Sequence, residues 1–130
     1  MKNKSQFLMV LTFILSAFAG GSFAQNNNKV TVVKLVETPG QFEGKTLKLK
    51  PGKYQFEVTN KSVDHEVAFF LQAEADKGSK EFSTALANSG LPKLLKQGES
   101  AKTGVVELKK GTYVYSCPLN PTPHYTITVE

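Results

Sequence analysis

Past a leader at its start, the chain reads as an all-β protein: a Greek-key β-sandwich of about seven to eight short strands, with one short helix in a crossing connection. Three observations predict this. Short runs such as KYQFEVT and TYVYS alternate apolar and polar residues, and a period of two puts one face of each run in a core. Turn formers cut the runs at short intervals, at Pro39-Gly40, Pro51-Gly52 and Lys109-Lys110-Gly111. No internal repeat is present, and only one stretch has helical spacing.

The leader comes first. Lys2 and Lys4 precede the apolar run FLMVLTFILSAFAG and the small-residue end Ser22-Phe23-Ala24. This is the layout of a secretory signal peptide cleaved after Ala24, and its apolar core is too short for a comfortable membrane span. The expected organisation is therefore a signal peptide over 1–24, a loose polar tail over 25–28 and one domain over 29–130. Without a cysteine after the apolar run there is no lipid-anchor signal. A soluble periplasmic or secreted monomer is expected, one that does not span the membrane.

Within the domain, KVTVVKLV (29–36) is a β-branched first strand, and ETPGQFEG is a loop. In KTLKLKPGKYQFEVTN two half-buried strands flank Pro51-Gly52, with Leu47 and Leu49 on one face before the turn and Tyr54, Phe56 and Val58 on one face after it. The next run, His65 to Leu71, puts Val67, Phe69 and Leu71 on the face of His65. From Lys80 to Asn88 the spacing of Phe82, Ala85 and Leu86 predicts the short helix, with Ser79 as its N-cap and Gly90 and Pro92 ending it. Strands resume at Lys102 to Leu108, Thr112 to Ser116 and Tyr125 to Val129.

Composition removes some functions. Loss of Lys2 and Lys4 takes the formal charge from +5 to +3, and every basic residue is Lys. Without arginine the bidentate clamp favoured for phosphates and bases is missing, so no nucleic-acid partner is expected. No Ser-His-Asp set, supported carboxylate pair or phosphate-binding glycine loop is present.

What remains is a small set of soft ligands. The chain has one cysteine, Cys117, and two histidines, His65 and His124. A lone cysteine in an exported chain has no internal disulfide partner, so it is an inert buried side chain, half of an intermolecular bridge, or a ligand. All three residues fall at strand ends, and PLNPTP joins Cys117 to His124. Loops at one end of a rigid sandwich can converge, and three prolines stiffen this one. A thiolate with two imidazoles is the equatorial set of a mononuclear copper site.

With those residues in view, LKPGKYQFEVTN, VDHEVAF and KKGTYVYSCPLNPTPH resemble, in order, the strand, first-histidine and Cys-loop-His segments of the cupredoxins, the blue copper proteins. The resemblance covers roughly residues 46–129 apart from the helical crossing. It implies that His65, Cys117 and His124 bind one copper per chain, and that a backbone N–H of Glu66 or Leu119 supports the thiolate, Pro118 having none. The chain departs from the family in two ways: six residues separate Cys117 from His124, and no methionine follows the histidine. The axial position is then vacant, or filled by the Asp64 carbonyl, by water or by a side-chain oxygen such as that of Glu130.

The function so implied is one-electron transfer between redox partners, such as a small cytochrome, rather than catalysis. The edge of His124 is the expected exit, ringed by Pro118, Leu119, Pro121 and Pro123. A copper carrier or buffer serving copper-handling proteins is the alternative. An enzyme using the open axial position, or zinc in the same ligands, follows it, and then a metal-free interaction domain.

Overall fold

The computed structural model describes residues 29–130. The proposed signal peptide and polar tail lie outside them. Among the described residues nine strands form two packed sheets: β1 (Val30–Thr38), β2 (Gln41–Phe42), β3 (Leu47–Leu49), β4 (Gly52–Asn60), β5 (Phe70–Ala73), β6 (Ser100–Lys102), β7 (Val106–Leu108), β8 (Gly111–Ser116) and β9 (Tyr125–Val129). One sheet runs β2-β1-β4-β6 with β7 also on β4, and the other runs β3-β9-β8-β5. The all-β sandwich expected from the alternation is thus observed.

Each sheet turns its alternating apolar residues inward. Tyr54, Phe56 and Val58 are buried, as are Val67, Phe69 and Leu71, and Val106, Leu108, Ile127 and Val129 close the core from the other strands. An aromatic cluster fills its centre. Phe69 stacks on Phe56 at 5.5 Å, Tyr115 meets Phe42 edge-on at 5.0 Å, and Tyr125 tilts over Tyr115 at 5.4 Å. Such pairs add to the burial of the rings themselves.

The strand count exceeds the expectation for two local reasons. What reads as one strand from Lys102 to Leu108 is divided into β6 and β7, because the register against β4 changes by one residue between Glu57↔Lys102 and Tyr54↔Val106. The extra residue is a β-bulge, and Thr103 bridges it by accepting the Phe56 N–H on its hydroxyl at 3.0 Å. Gly104 belongs to the same bulge, where a Cβ would come within 3.1 Å of the Asn88 carbonyl oxygen. The second reason is β2, two residues paired back on β1.

The helix expected from Lys80 to Asn88 is reduced to a single 3-10 turn, Phe82–Thr84, and a second such turn spans Glu74–Asp76. Tertiary contacts override the spacing. The buried Gln72 amide donates to the Asp76 and Ser79 carbonyls and the Thr84 hydroxyl, while the Leu86 N–H donates to the Leu71 carbonyl at 2.9 Å. That second bond draws the segment onto the sheet edge as an extended bridge, which a helix could not make. The strand expected from His65 likewise begins only at Phe70, and His65 stands on the exposed loop ahead of it.

The aromatic cluster carries much of the stability. Phe69→Ala is expected to cost about 3–5 kcal/mol, as for other buried aromatic truncations. Phe82→Ala, at a ring 76% exposed, should cost under about 1 kcal/mol. Urea unfolding of both variants checks this, and equal losses would contradict the placement of the core.

Candidate metal centre

The topology gathers the ends of β1, β4 and β8 and the starts of β5 and β9 at one end of the sandwich. β1 and β4 are parallel up to Glu37↔Asn60, and β5 and β8 are antiparallel with Phe70↔Ser116. Two loops therefore meet here, one carrying His65 and the other running from Cys117 to His124.

A buried asparagine shapes each loop. Asn60, ending β4, donates its side-chain N–H groups to the carbonyls of His65 and Leu95 at 3.0 Å each, and its Oδ1 accepts the Val63 N–H at 2.9 Å. Asn120, in the cysteine loop, is 3% exposed. Its Nδ2 donates to Glu37 Oε1 at 3.2 Å and to the Thr38 carbonyl at 3.0 Å, and its Oδ1 accepts the Gly40 N–H at 2.8 Å. Gly40 has φ 76° and follows Pro39, the pairing that a type II turn requires. Asn120 thus fastens the cysteine loop to the β1–β2 turn.

Cys117 is 2% exposed. Its Sγ accepts two backbone N–H groups, from Ala68 and Asn120, each at 3.3 Å. Its own N–H donates to the Thr122 hydroxyl at 3.0 Å. The backbone N–H groups on the sulfur are not those of the residues expected, Glu66 and Leu119, but those of Ala68, two residues past Glu66, and Asn120, next after Leu119. Val67 is committed to Leu95 in both directions, which leaves the Ala68 N–H to face the sulfur, and Asn120 is the third residue on, where a turn folds its N–H back over Cys117. Burial nevertheless pushes the thiol up to about 11; the two N–H groups oppose the rise and Glu37 adds to it. A metal taking the sulfur must displace a proton.

His65 is exposed, but it reaches the cysteine loop. Its Nε2 is 2.9 Å from the Leu119 carbonyl oxygen and its Nδ1 is 3.2 Å from Asp64 Oδ1. The Leu119 carbonyl, and after it Asp64, raises its pKa, because both contacts favour the imidazolium. His124 is half-buried just ahead of β9. His124, whose edge was the expected exit, is thus the less exposed of the two histidines. Pro118, Leu119, Pro121 and Pro123, in the same loop, are all exposed. Among the described residues no three His, Cys, Asp or Glu side chains are drawn together as a ready metal cluster. Both ring nitrogens of His65 are engaged, so binding through it requires the ring to release Leu119 or Asp64.

The residue that sequence reasoning missed is Glu37. It is fully buried, beside Asn60 in the register and next to the Cys117 thiol, each group shifting the other's proton affinity. Burial raises its pKa from 4.5 to about 6, against the lowering effects of Asn120, Cys117 and His65. Among the described residues its Oε2 has no hydrogen-bond partner; the neighbouring Thr38 hydroxyl is the other buried atom in that condition. The signal was in the alternation, since Leu35 and Glu37 share a face, but the first strand was expected to stop at Val36 and β1 continues to Thr38.

The donor types, a shielded thiol under two N–H···S bonds, two imidazoles on the converging loops and a buried carboxylate, are ones that copper takes, but among the described residues they are not drawn into one cluster. Solved structures bear on the scaffold. Auracyanin B is 20% identical, with a TM-score of 0.58 over 85% of this chain and 96% of its own. The fold is cupredoxin-like. Auracyanin A, a "blue" copper protein from the green thermophilic photosynthetic bacterium Chloroflexus aurantiacus, is 15% identical, with a TM-score of 0.58 over 78% of this chain and all of its own. The blue copper oxidase from Nitrosomonas europaea matches 78% of this chain with 39% of its own length, at 13% identity and a TM-score of 0.56. No protein-family profile and no curated protein matches the sequence. At these identities the likeness is one of the cupredoxin-like fold alone.

Two predictions follow from the geometry. Asn120→Ala strands the Gly40 N–H, the Thr38 carbonyl and a Glu37 oxygen, and should cost about 2–4 kcal/mol in chemical denaturation of the metal-free protein. A loss below about 0.5 kcal/mol would contradict the clamp. The second concerns pH. Between 4.5 and about 6 the native state holds the Glu37 proton that the unfolded chain has released, so this stability is fully present below 4.5 and is lost as pH rises through 6. The raised His65 works in the same sense. Metal-free protein should therefore melt higher at pH 5 than at pH 7.5, with the difference reduced in Glu37→Gln; a melting temperature that rises with pH would contradict it.

Proposed function

We propose that this protein binds one copper ion per chain through His65, Cys117 and His124 and passes single electrons between redox partners. The observation that supports this most is the placement of the only cysteine. It is buried at the loop end of a cupredoxin-like sandwich, under two backbone N–H groups, with His65 joined to its loop through Leu119.

Copper held there would supply a one-electron Cu(I)/Cu(II) couple. The protein's contribution is rigidity. The Asn60 bonds brace the His65 loop and the Asn120 bonds tie the cysteine loop to the β1–β2 turn, and the N–H···S bonds stabilise sulfur as its charge develops. The exposed rim of Pro118, Leu119, Pro121 and Pro123 is a small patch of the kind that brief redox encounters use, with a partner such as a small cytochrome. The leader, read as a signal peptide, gives an exported protein.

The exposure of His65 favours a second reading. A ligand whose ring nitrogens are engaged elsewhere, on the open side of the site, is suited to taking up and releasing copper, as a carrier for copper-handling proteins would.

Titration with Cu(II) tests the proposal. One equivalent should bring up an intense thiolate-to-copper charge-transfer band, and Cys117→Ser should abolish it while keeping the circular dichroism of the sandwich. A band that survives the substitution, or no band at all, would sink the thiolate assignment. Electron self-exchange separates the two readings: rapid exchange supports transfer, and slow exchange with ready loss of copper to a chelator supports carriage.

A further inference from the structure

We propose that Glu37 is a fourth ligand of this copper centre, its free Oε2 taking the position beside Cys117 that no methionine fills. The inference rests on the copper reading above and adds a residue to it.

Its first support is an unmade interaction. A buried carboxylate is costly to keep unless it is paired or bound to a metal; Glu37 is fully buried, its Oε2 has no hydrogen-bond partner of ordinary geometry among the described residues, and it lies against the Cys117 thiol, whose contact lowers its pKa. Its other oxygen is held by Asn120 Nδ2 at 3.2 Å, and the Asn120 backbone N–H donates to the Cys117 sulfur. One residue therefore orients both the carboxylate and the thiol, and metal ligands are commonly oriented by such neighbouring hydrogen bonds. The second support is the ligand inventory. Residues 29–130 contain no methionine, so the usual weak sulfur donor is not on offer. Glu130 pairs by its backbone N–H with the Leu49 carbonyl, and Leu49 in β3 lies with the end of β9, away from the start of β9 where His124 stands. The buried acid at the loop end is thus Glu37.

An anionic oxygen donor is harder than a thioether and favours Cu(II) over Cu(I). The centre should have four donors, and its potential should rise when the carboxylate is removed. A purely structural Glu37 would alter stability and leave the metal's spectrum unchanged.

The test compares Cu(II)- and Co(II)-loaded full-length mature protein with Glu37→Gln and with Glu66→Gln, an exposed acid beside His65. In Glu37→Gln the charge-transfer bands and copper hyperfine splitting should move, the reduction potential should rise and Cu(II) affinity should fall roughly tenfold or more. Glu66→Gln should match the wild type. X-ray absorption of the Cu(II)-loaded wild type, which needs no variant to fold, should require an oxygen donor besides one sulfur and two imidazoles, and Glu37→Asp should weaken that shell. Unchanged spectra in Glu37→Gln, or an absorption shell complete with three donors, would overturn the assignment of Glu37 and leave the copper reading standing. A wild type with no thiolate charge-transfer band would instead remove the copper reading itself, and Glu37 with it.

Discussion

The loop end of this protein depends on one side chain amide. Asn120 uses Nδ2 and Oδ1 to hold Glu37, Thr38 and Gly40, and its backbone N–H to reach the Cys117 sulfur. The cysteine loop and the β1–β2 turn belong to different sheets, so the bonds of Asn120 join the two sheets at the point where the candidate ligands stand. Neutral amides suit this work. An asparagine can donate twice and accept once in a dry site without carrying a charge that must itself be compensated. Asn60 does the same for the loop of His65, and both side chains are buried.

Those clamps support an arrangement that stability alone would not favour. Burial raises the proton affinity of both Glu37 and the Cys117 thiol, and groups so perturbed gather where a protein does chemistry. The cost is borne by the aromatic core beneath: Phe69 follows Ala68, whose N–H meets the sulfur, and Tyr115 lies two residues before Cys117. Packing fixes those rings, and the rings fix the backbone groups that face the thiol.

Much of this was legible in the sequence because a period of two is hard to disguise. The alternation in KYQFEVT gave the faces of β4, and β9 has the expected bounds. The convergence of the two loops was expected from the position of His65, Cys117 and His124 at strand ends, and His65 does reach the cysteine loop. Other features were hidden for physical reasons. The helical spacing of Phe82, Ala85 and Leu86 lost to the Gln72 amide and the Leu71 carbonyl, contacts made across sequence that a local pattern does not register. Asn120 looked like one more residue of a proline-stiffened loop, whereas the prolines are exposed and the amide is buried. Glu37 was lost through one strand boundary, since ending β1 at Val36 leaves the acid in a loop and extending it to Thr38 turns the acid inward.

The central claim is that Cys117 is a metal-bound thiolate where the two clamped loops meet. Anomalous diffraction at the copper edge, from crystals of the mature protein loaded with one equivalent of copper, tests it most directly. The account predicts a single strong peak bonded to Cys117 Sγ and to ring nitrogens of His65 and His124, with the bonds of Asn120 intact and the His65 ring released from Leu119 or Asp64. A peak away from Cys117, for example on His65 and Asp64 at the surface with the thiol still buried and unbound, would contradict it.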